Sequence, residues 1–300
     1  MDFLRRILPQ PVKNALRPIY HFFIWTLKNL IRGLFKGLGI LMGQNRFLSA
    51  LHFVSNEIDT IVEVENIKFE AGDQIPHHRA KTLMTKEPDT INWIDDFIEE
   101  GDIFYDVGAN IGVFSVYAAM RKKAKVYAFE PLAANYGVLN QNIHLNALSG
   151  QVTALCLALH NKVMLSHLNV SAMLPGKAGH SFENPVGAGN TVFEPSFLQG
   201  MIGIPMDQFV RTYDAPFPNH VKIDVDANEP QVVSGMKSLL SDSRLKSIAI
   251  ELNTDWSKHA EIIEIITASG FRKLEDDRYI NHAYRALRPI SNHFFVRADT

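Results

Sequence analysis

Apolar and polar residues alternate over residues 57–70, where Ile61, Val64, Ile67 and Phe69 are interleaved with Glu63, Glu65 and Lys68. A period near two predicts a half-buried strand or hairpin. The period then lengthens. Pro88 opens a segment whose apolar positions Ile91, Ile94, Phe97 and Ile98 recur at three to four residues, with Glu87 and Asp89 at its first turn and Gly101 at its end. These are the marks of a helix with a start and a stop. From there strand and helix patterns take turns: a strand over Asp102–Val107, a helix from Gly112 to about Arg121, a strand over Lys125–Phe129, a helix from Ala133 to about His144, and a third strand over Val152–Leu159. Val221–Val225, Ser247–Leu252 and His293–Arg297 read as further strands, with helices near 230–240 and 257–269. Such alternation predicts an α/β domain whose parallel sheet is covered on both faces. Residues 160–219 break the rhythm with six glycines and six prolines between Pro175 and Pro218. They are expected to form a long irregular insertion, a lid or binding loop at the ligand edge of the sheet.

Composition adds a boundary. The 300 residues are 46% hydrophobic and 21% charged, which excludes a disordered or collagen-like chain. A single cysteine, Cys156, excludes a disulfide framework or multi-cysteine zinc module and is read as a small core residue in an intracellular protein. The net charge of −2 is unevenly placed: residues 1–56 carry Arg5, Arg6, Lys13, Arg17, Lys28, Arg32, Lys36 and Arg46 against Asp2 alone, +7 in all, leaving −9 for the remainder. Residues 1–56 are therefore expected to be a basic amphipathic arm on a domain spanning 57–300, in which 57–100 are the lead-in to the main sheet and 160–219 the substrate loop. Lys28, Arg32 and Lys36 interrupt any stretch long enough to span a bilayer, and no small-residue cleavage site follows. On a helical wheel Arg17, His21, Lys28, Arg32 and Lys36 share about 100° of arc. Peripheral contact of residues 1–50 with an anionic, cytoplasmic membrane face is one expectation; packing on the chain's own domain or on a second subunit is the other. Gly33, Gly37, Gly39 and Gly43 argue against a long rigid helix. With the remaining chain acidic, no nucleic acid is expected as partner.

The sharpest chemical signal is the turn Asp106-Val107-Gly108-Ala109-Asn110-Ile111-Gly112, where a buried strand passes into a helix. Gly108 lets the chain turn without a Cβ, Gly112 permits close approach of helix and ligand, and the helix start offers unpaired amides. Glu130 ends the next strand, 24 residues beyond Asp106, where an acid accepts hydrogen bonds from the hydroxyls of a ribose. Two glycines four apart, with an acid before them, suit the ammonium group of S-adenosylmethionine better than the pyrophosphate of NAD. No Gly-Lys-Ser/Thr follows, so a P-loop is excluded.

These residues resemble the FkbM-type methyltransferase family. The resemblance rests on Lys86-Glu87-Pro88-Asp89-Thr90, Trp93-Ile94 and the Asp106–Gly112 turn, then on Ala128-Phe129-Glu130-Pro131 with Asn135, Leu139, Asn142 and Asn146. It continues through Met206-Asp207-Gln208-Phe209 and Lys222-Ile223-Asp224-Val225-Asp226-Ala227-Asn228-Glu229, covering about residues 84–253. It implies a class I, Rossmann-like methyltransferase fold with a seven-stranded, mostly parallel sheet and helices on both faces. It also implies S-adenosyl-L-methionine as cofactor, held at Asp106, Gly108, Asn110, Gly112 and Glu130, and O-methylation of a hydroxyl on a sugar, glycolipid or secondary metabolite. Asp226 and Ala227 depart from the Glu-Gly usual in the last block; an Ala at positive φ would be strained by around 1 kcal/mol.

Methyl transfer from a sulfonium is an in-line displacement, and a base near a sugar hydroxyl assists it. Asp224, Asp226 and Glu229 are the candidate catalytic acids, with Glu251 read as structural. If the strands carrying Asp224 and Glu251 are neighbours, the four carboxylates converge; one could then act as base, or they could hold Mg²⁺. No residue is assigned as a metal ligand. His77, His78, His160, His167 and His180 lack ligand spacing, and of these only His180 is a candidate base. The rival readings are a degenerate methyltransferase fold acting as a non-catalytic glycan-binding or scaffold subunit, and an NAD-linked oxidoreductase. A nucleic-acid methyltransferase is weaker still.

Overall fold

The computed structural model describes residues 10–57, 60–187, 191–253, 255–282 and 289–298. They fall into two compact units, Met1–Asp59 and Thr60–Thr300.

The first unit holds α1 (Gln10–Met42) and α2 (Gln44–Glu57). α1 runs unbroken through Gly33, Gly37 and Gly39, contrary to the expectation that glycines would shorten it. A glycine weakens a helix interior by about 1 kcal/mol without turning it; the turn needs positive φ, which comes only at Gly43 (φ 79°). Phe47 then packs edge-on against Phe35, with ring centroids 5.8 Å apart.

The second unit starts with the hairpin β1 (Ile61–Val64) and β2 (Ile67–Glu70), paired Val64↔Ile67 to Ile61↔Glu70. Three helices follow, α3 (Gln74–Lys81), α4 (Leu83–Lys86) and α5 (Pro88–Phe97). Then come β3 (Ile103–Val107), α6 (Val113–Lys122), β4 (Lys125–Phe129), α7 (Ala133–Leu145) and β5 (Val152–Leu155). After β6 (Ala158–Leu159), β7 (Met164–Val170), β8 (Ser181–Phe182) and β9 (Phe197–Ile204), the chain forms α8 (Met206–Thr212) and β10 (His220–Ile223). It closes with α9 (Glu229–Ser234), α10 (Lys237–Leu240), β11 (Ser247–Asn253), α11 (Ser257–Ala268), β12 (Phe271–Lys273) and β13 (Ile290–Arg297).

The main sheet has seven strands in the order β12-β13-β11-β10-β3-β4-β5. β11, β10, β3, β4 and β5 are parallel; β13 is antiparallel to both β11 and β12. This is the mostly parallel, Rossmann-like α/β sheet of the sequence reading. Both faces are apolar because both are covered. Phe104, Val126, Ala128 and Phe294 pack with Trp93 and Val116 on one side, while Tyr105, Val107, Phe129 and Val221 pack with Phe209, Val232 and Ile262 on the other. Trp93 is fully buried and donates its indole N–H to Ser247 Oγ at 3.1 Å.

The insertion differs from its expectation. Residues 158–204 build a second sheet of order β6-β9-β7-β8, with β7 and β9 antiparallel from Met164↔Gly203 to Val170↔Phe197. The expected strand 152–159 is accordingly split: β5 ends at Leu155, and β6 crosses to pair with β9. At Gly203 any Cβ would press on the Phe182 ring, so this glycine serves close packing within a strand. Cys156, at the crossing, is exposed rather than part of the core.

Candidate active site

The carboxyl ends of β10, β3 and β4 lie side by side, and the loops leaving them frame a cleft of about 710 Å³, mouth included. β3 hands over at Gly108, whose φ of 84° only glycine adopts freely; a Cβ there would overlap the Asp224 carbonyl oxygen. The turn is therefore built backbone against backbone. Asp224 N–H donates to Val107 O at 2.9 Å, and the amides of Gly108 and Ala109 both donate to Phe129 O.

Glu130 leaves β4 and turns its carboxylate back. Oε2 accepts from Asn110 N–H at 2.7 Å, and Oε1 accepts from Leu132 N–H at 2.8 Å and from Asn135 Nδ2 at 3.4 Å. It lines the cleft at 5% exposure, and burial pushes its carboxyl up to about 7. At the other end, Asp224 accepts from the buried Lys222 ammonium at 3.0 Å. Burial alone would raise its carboxyl, but Lys222 beside it holds it below the usual range. Lys222 itself stays charged above its ordinary value, because Asp224, Asp106 and Glu87 outweigh its burial. Asp226 faces the same cleft, and burial with Asp224 nearby pushes it up to about 6.

The roof comes from the loop between β7 and β8. Lys177 O accepts from Asn110 Nδ2 (3.2 Å) and Asn135 Nδ2 (3.1 Å). Gly176 N–H donates to Asn135 Oδ1 (2.7 Å), Gly176 O accepts from Arg79 Nε (2.6 Å), and Gly179 N–H donates to Asp226 Oδ2 (2.6 Å). The roof is thus strapped to four elements around the cleft.

The structure brings Gly108, Asn110, Glu130, Asp224 and Asp226 to one cleft. It places Asp106, Gly112 and Glu229 behind it. Asp106 is 1% exposed and accepts from Ser115 Oγ at 2.5 Å, so it acts on the cleft from behind, through its charge on Lys222 and Asp224. At Gly112, with φ 80°, a Cβ would strike Leu139 of α7, so this glycine makes room for a neighbouring helix rather than for a ligand. Glu229 accepts from Val225 N–H at 3.2 Å and sits 3.5 Å from His259 Nε2, bracing the loop that carries Asp224 and Asp226. Glu251 is neighbour to that loop, since β10 and β11 pair Ile223↔Ile250; burial, Asp224 and Glu87 drive its carboxyl well above the usual range. Read as structural from the sequence, it belongs to the acid cluster. His180 lines the cleft with both ring nitrogens engaged: Nδ1 accepts from Ser171 N–H, which leaves Nε2 to donate to Lys177 O. It braces the roof and is not placed as a base.

Asp224, Asp106 and Glu87 gather on Lys222 rather than on an empty point. Among the described residues no group of three or more His, Cys, Asp or Glu side chains is arranged to hold a metal ion, so the Mg²⁺ expectation finds no support. Three residues that sequence reasoning gave no role are Lys222, Arg79 and Lys177. A lysine inside the buried run His220–Ile223 was a readable signal. Arg79 reaches the cleft from α3, 145 positions from Asp224, and nothing local marks it.

A profile of the Methyltransferase FkbM domain matches residues 106–273. The chain is 28% identical over 173 residues to the Hexuronic acid methyltransferase AglP of Haloferax volcanii, covering 56% of this chain and 64% of that protein. It is 46% identical over 77 residues to Methyltransferase sdnD of Sordaria araneosa, 24% of this chain and 29% of the relative. It thus spans less than two thirds of either relative's length. Among solved structures, precorrin-6y C5,15-methyltransferase of Geobacter metallireducens aligns over 72% of this chain and 89% of that one, at 12% identity and a TM-score of 0.39.

Proposed function

The chain belongs to the FkbM methyltransferase family, and we propose that its second unit is an S-adenosylmethionine-dependent O-methyltransferase acting on a hydroxyl of a sugar, glycolipid or secondary metabolite. One observation carries this reading: a single cleft has Glu130 at the end of β4 and the pair Asp224 and Asp226 at the end of β10, with the β3 turn between them. An adenosylated sulfonium fits that polarity. Its ribose would lie against Glu130, whose Oε2 holds one protein donor and has a second lone pair to offer. Its cationic amino-acid end would lie toward Asp224 and the acids behind it. When bound, the cofactor supplies an activated methyl group.

The chain's own residues do the rest. Asp226 is the group in the cleft suited to take the acceptor's proton, because its raised carboxyl approaches the range of a working base. Asp224, held ionised by Lys222, is suited to orient and to stabilise positive charge. The roof at 176–180 would exclude water and fix the acceptor. The name of the Haloferax volcanii relative specifies a hexuronic acid. Arg79 and Lys177, both lining the cleft, suit an acceptor that carries a carboxylate.

A second reading, a non-catalytic glycan-binding subunit, draws on Asp226 and Ala227, both at positive φ where the family has Glu and Gly. Calorimetric titration with S-adenosylmethionine and with NAD⁺, alongside Glu130→Ala, separates the readings. Micromolar binding of the former alone, weakened by about 1–3 kcal/mol in the variant, is expected. Failure to bind S-adenosylmethionine would overturn the enzyme reading. Binding without transfer of labelled methyl to any uronic or neutral glycan would favour the non-catalytic subunit.

A further inference from the structure

The surface of the first unit is unusual for a protein. α1 extends over 33 residues, about 50 Å at 1.5 Å per residue. Its large apolar side chains are exposed: Trp25 at 63%, Leu30 at 65%, Leu34 at 62%, Ile40 and Leu41 at 83%. Residues 3–56 contain eight arginines and lysines and no acid at all. We propose that α1 lies in the plane of an anionic lipid bilayer surface, with Lys28, Arg32 and Lys36 at the headgroup phosphates and its apolar arc in the acyl boundary.

Three features select this occupant. No helix among the described residues is long and apolar enough to cross a membrane. The charges at 28, 32 and 36 recur every four residues and so form one stripe along the helix, an arrangement for lying flat rather than crossing. The apolar surface is also wider than docking on a protein requires. At 100° per residue the stripe occupies about 80° of arc, whereas Phe22, Phe23, Leu27, Leu30, Ile31 and Leu34 spread over about 180°. A helix docked on a protein needs a stripe of about 100°. A helix sunk to its axis in an interface covers half its circumference. Trp25 falls within the arc of the stripe itself and carries the amphipathic ring favoured at the headgroup level, and the lysine and arginine stems are long enough to bring their charges up to the headgroups. A second copy would set one acid-free basic segment against another, which opposes pairing.

The test uses the full-length chain and sedimented vesicles of phosphatidylcholine alone or mixed with phosphatidylglycerol. Binding to the mixed vesicles is expected, weakened by added salt and about a hundredfold or more by the triple change Lys28→Glu, Arg32→Glu, Lys36→Glu. The three side chains are exposed, so the triple variant leaves the fold intact. Leu30→Asp with Leu34→Asp is expected to abolish binding to either vesicle. Equal binding to neutral and mixed vesicles with the triple variant unchanged would overturn the proposal. So would no binding, with sedimentation velocity reporting either a dimer that Leu30→Asp with Leu34→Asp dissociates or a monomer. Vesicle binding is read without methyl transfer, so its outcome is independent of the enzyme reading.

Discussion

Ala227 sits at φ 80° and Asp226 at φ 51°, in the loop that presents the carboxylates of β10 to the cleft. A Cβ in the left-handed region crowds its own carbonyl, and Ala has no side-chain hydrogen bond to offset this. Ala227→Gly is therefore expected to stabilise the second unit by about 1 kcal/mol, a rise in Tm of about 3 °C by calorimetry. An unchanged or lower Tm would show that the loop carries no such strain. Next to it, Asp226 has its carboxyl pushed up to about 6 by burial and by Asp224. The base proposed at Asp226 must be deprotonated to act, so kcat should rise with pH through about 6 and then level. Asp226→Asn should lower kcat about a hundredfold or more and remove that acid limb. An Asn variant retaining the limb would assign it elsewhere. Which residues reach the cleft was only half legible in the residue pattern. Gly108, Glu130 and Asp224 announce themselves by standing at strand ends, where a turn and an acid have few other uses. Asp106 and Gly112 have the same local signature, yet they face Ser115 and Leu139. Which side of a turn a residue faces is decided by α6 and α7 packing behind it, and no spacing rule carries that.

At the scale of elements, the parallel strands were legible because each is a short apolar run bounded by a turn and covered on both faces. The second sheet was not. β7 and β9 pair across 26 intervening residues, and β9 contains Gly200 and Gly203 where a strand pattern wants side chains. Their pairing is set by long-range registry, with Phe182 filling the space over Gly203. That sheet's purpose is to hold the 176–180 roof, and the roof hangs largely on one side chain. Asn135, 1% exposed, accepts from Gly176 N–H and donates to Lys177 O. Asn135→Ala is expected to loosen the roof while sparing the main sheet. Amide exchange at Gly176 should quicken about tenfold to a hundredfold, matching the loss of about 1–3 kcal/mol from a buried hydrogen-bonding side chain. If exchange at Gly176 stays unchanged, the roof is held by Arg79 and Asp226 instead.

For the whole molecule, buried acids set a pH dependence whose sign differs from that of surface ion pairs. Glu130 has its carboxyl raised to about 7 and Asp89 to about 6, both chiefly by burial. A carboxyl with a folded pKa above its unfolded value binds more protons folded than unfolded. Stability therefore falls as pH rises through that interval. Asp102 has the opposite sign: His220 and Lys246 outweigh its burial and hold it low, so its contribution is lost only on acidification below about 4. His160, His180 and His220 are lowered by burial and weaken the fold as pH drops below about 6.5. Histidines and acids thus oppose one another below about 6.5, and above it the acids act alone. Between pH 6.5 and 8 the protonated share of Glu130 disappears, and the second unit should lose about 1 kcal/mol, a fall in Tm of about 3 °C. Glu130→Gln, which keeps the shape and never ionises, should lessen the slope over this window by Glu130's share and leave the histidine limb below it in place. A Tm that climbs from pH 6.5 to 8 in the parent chain would mean that the Asn110 and Leu132 amides keep Glu130 ionised. The acid proposed to hold the ribose would then be charged before any cofactor arrives.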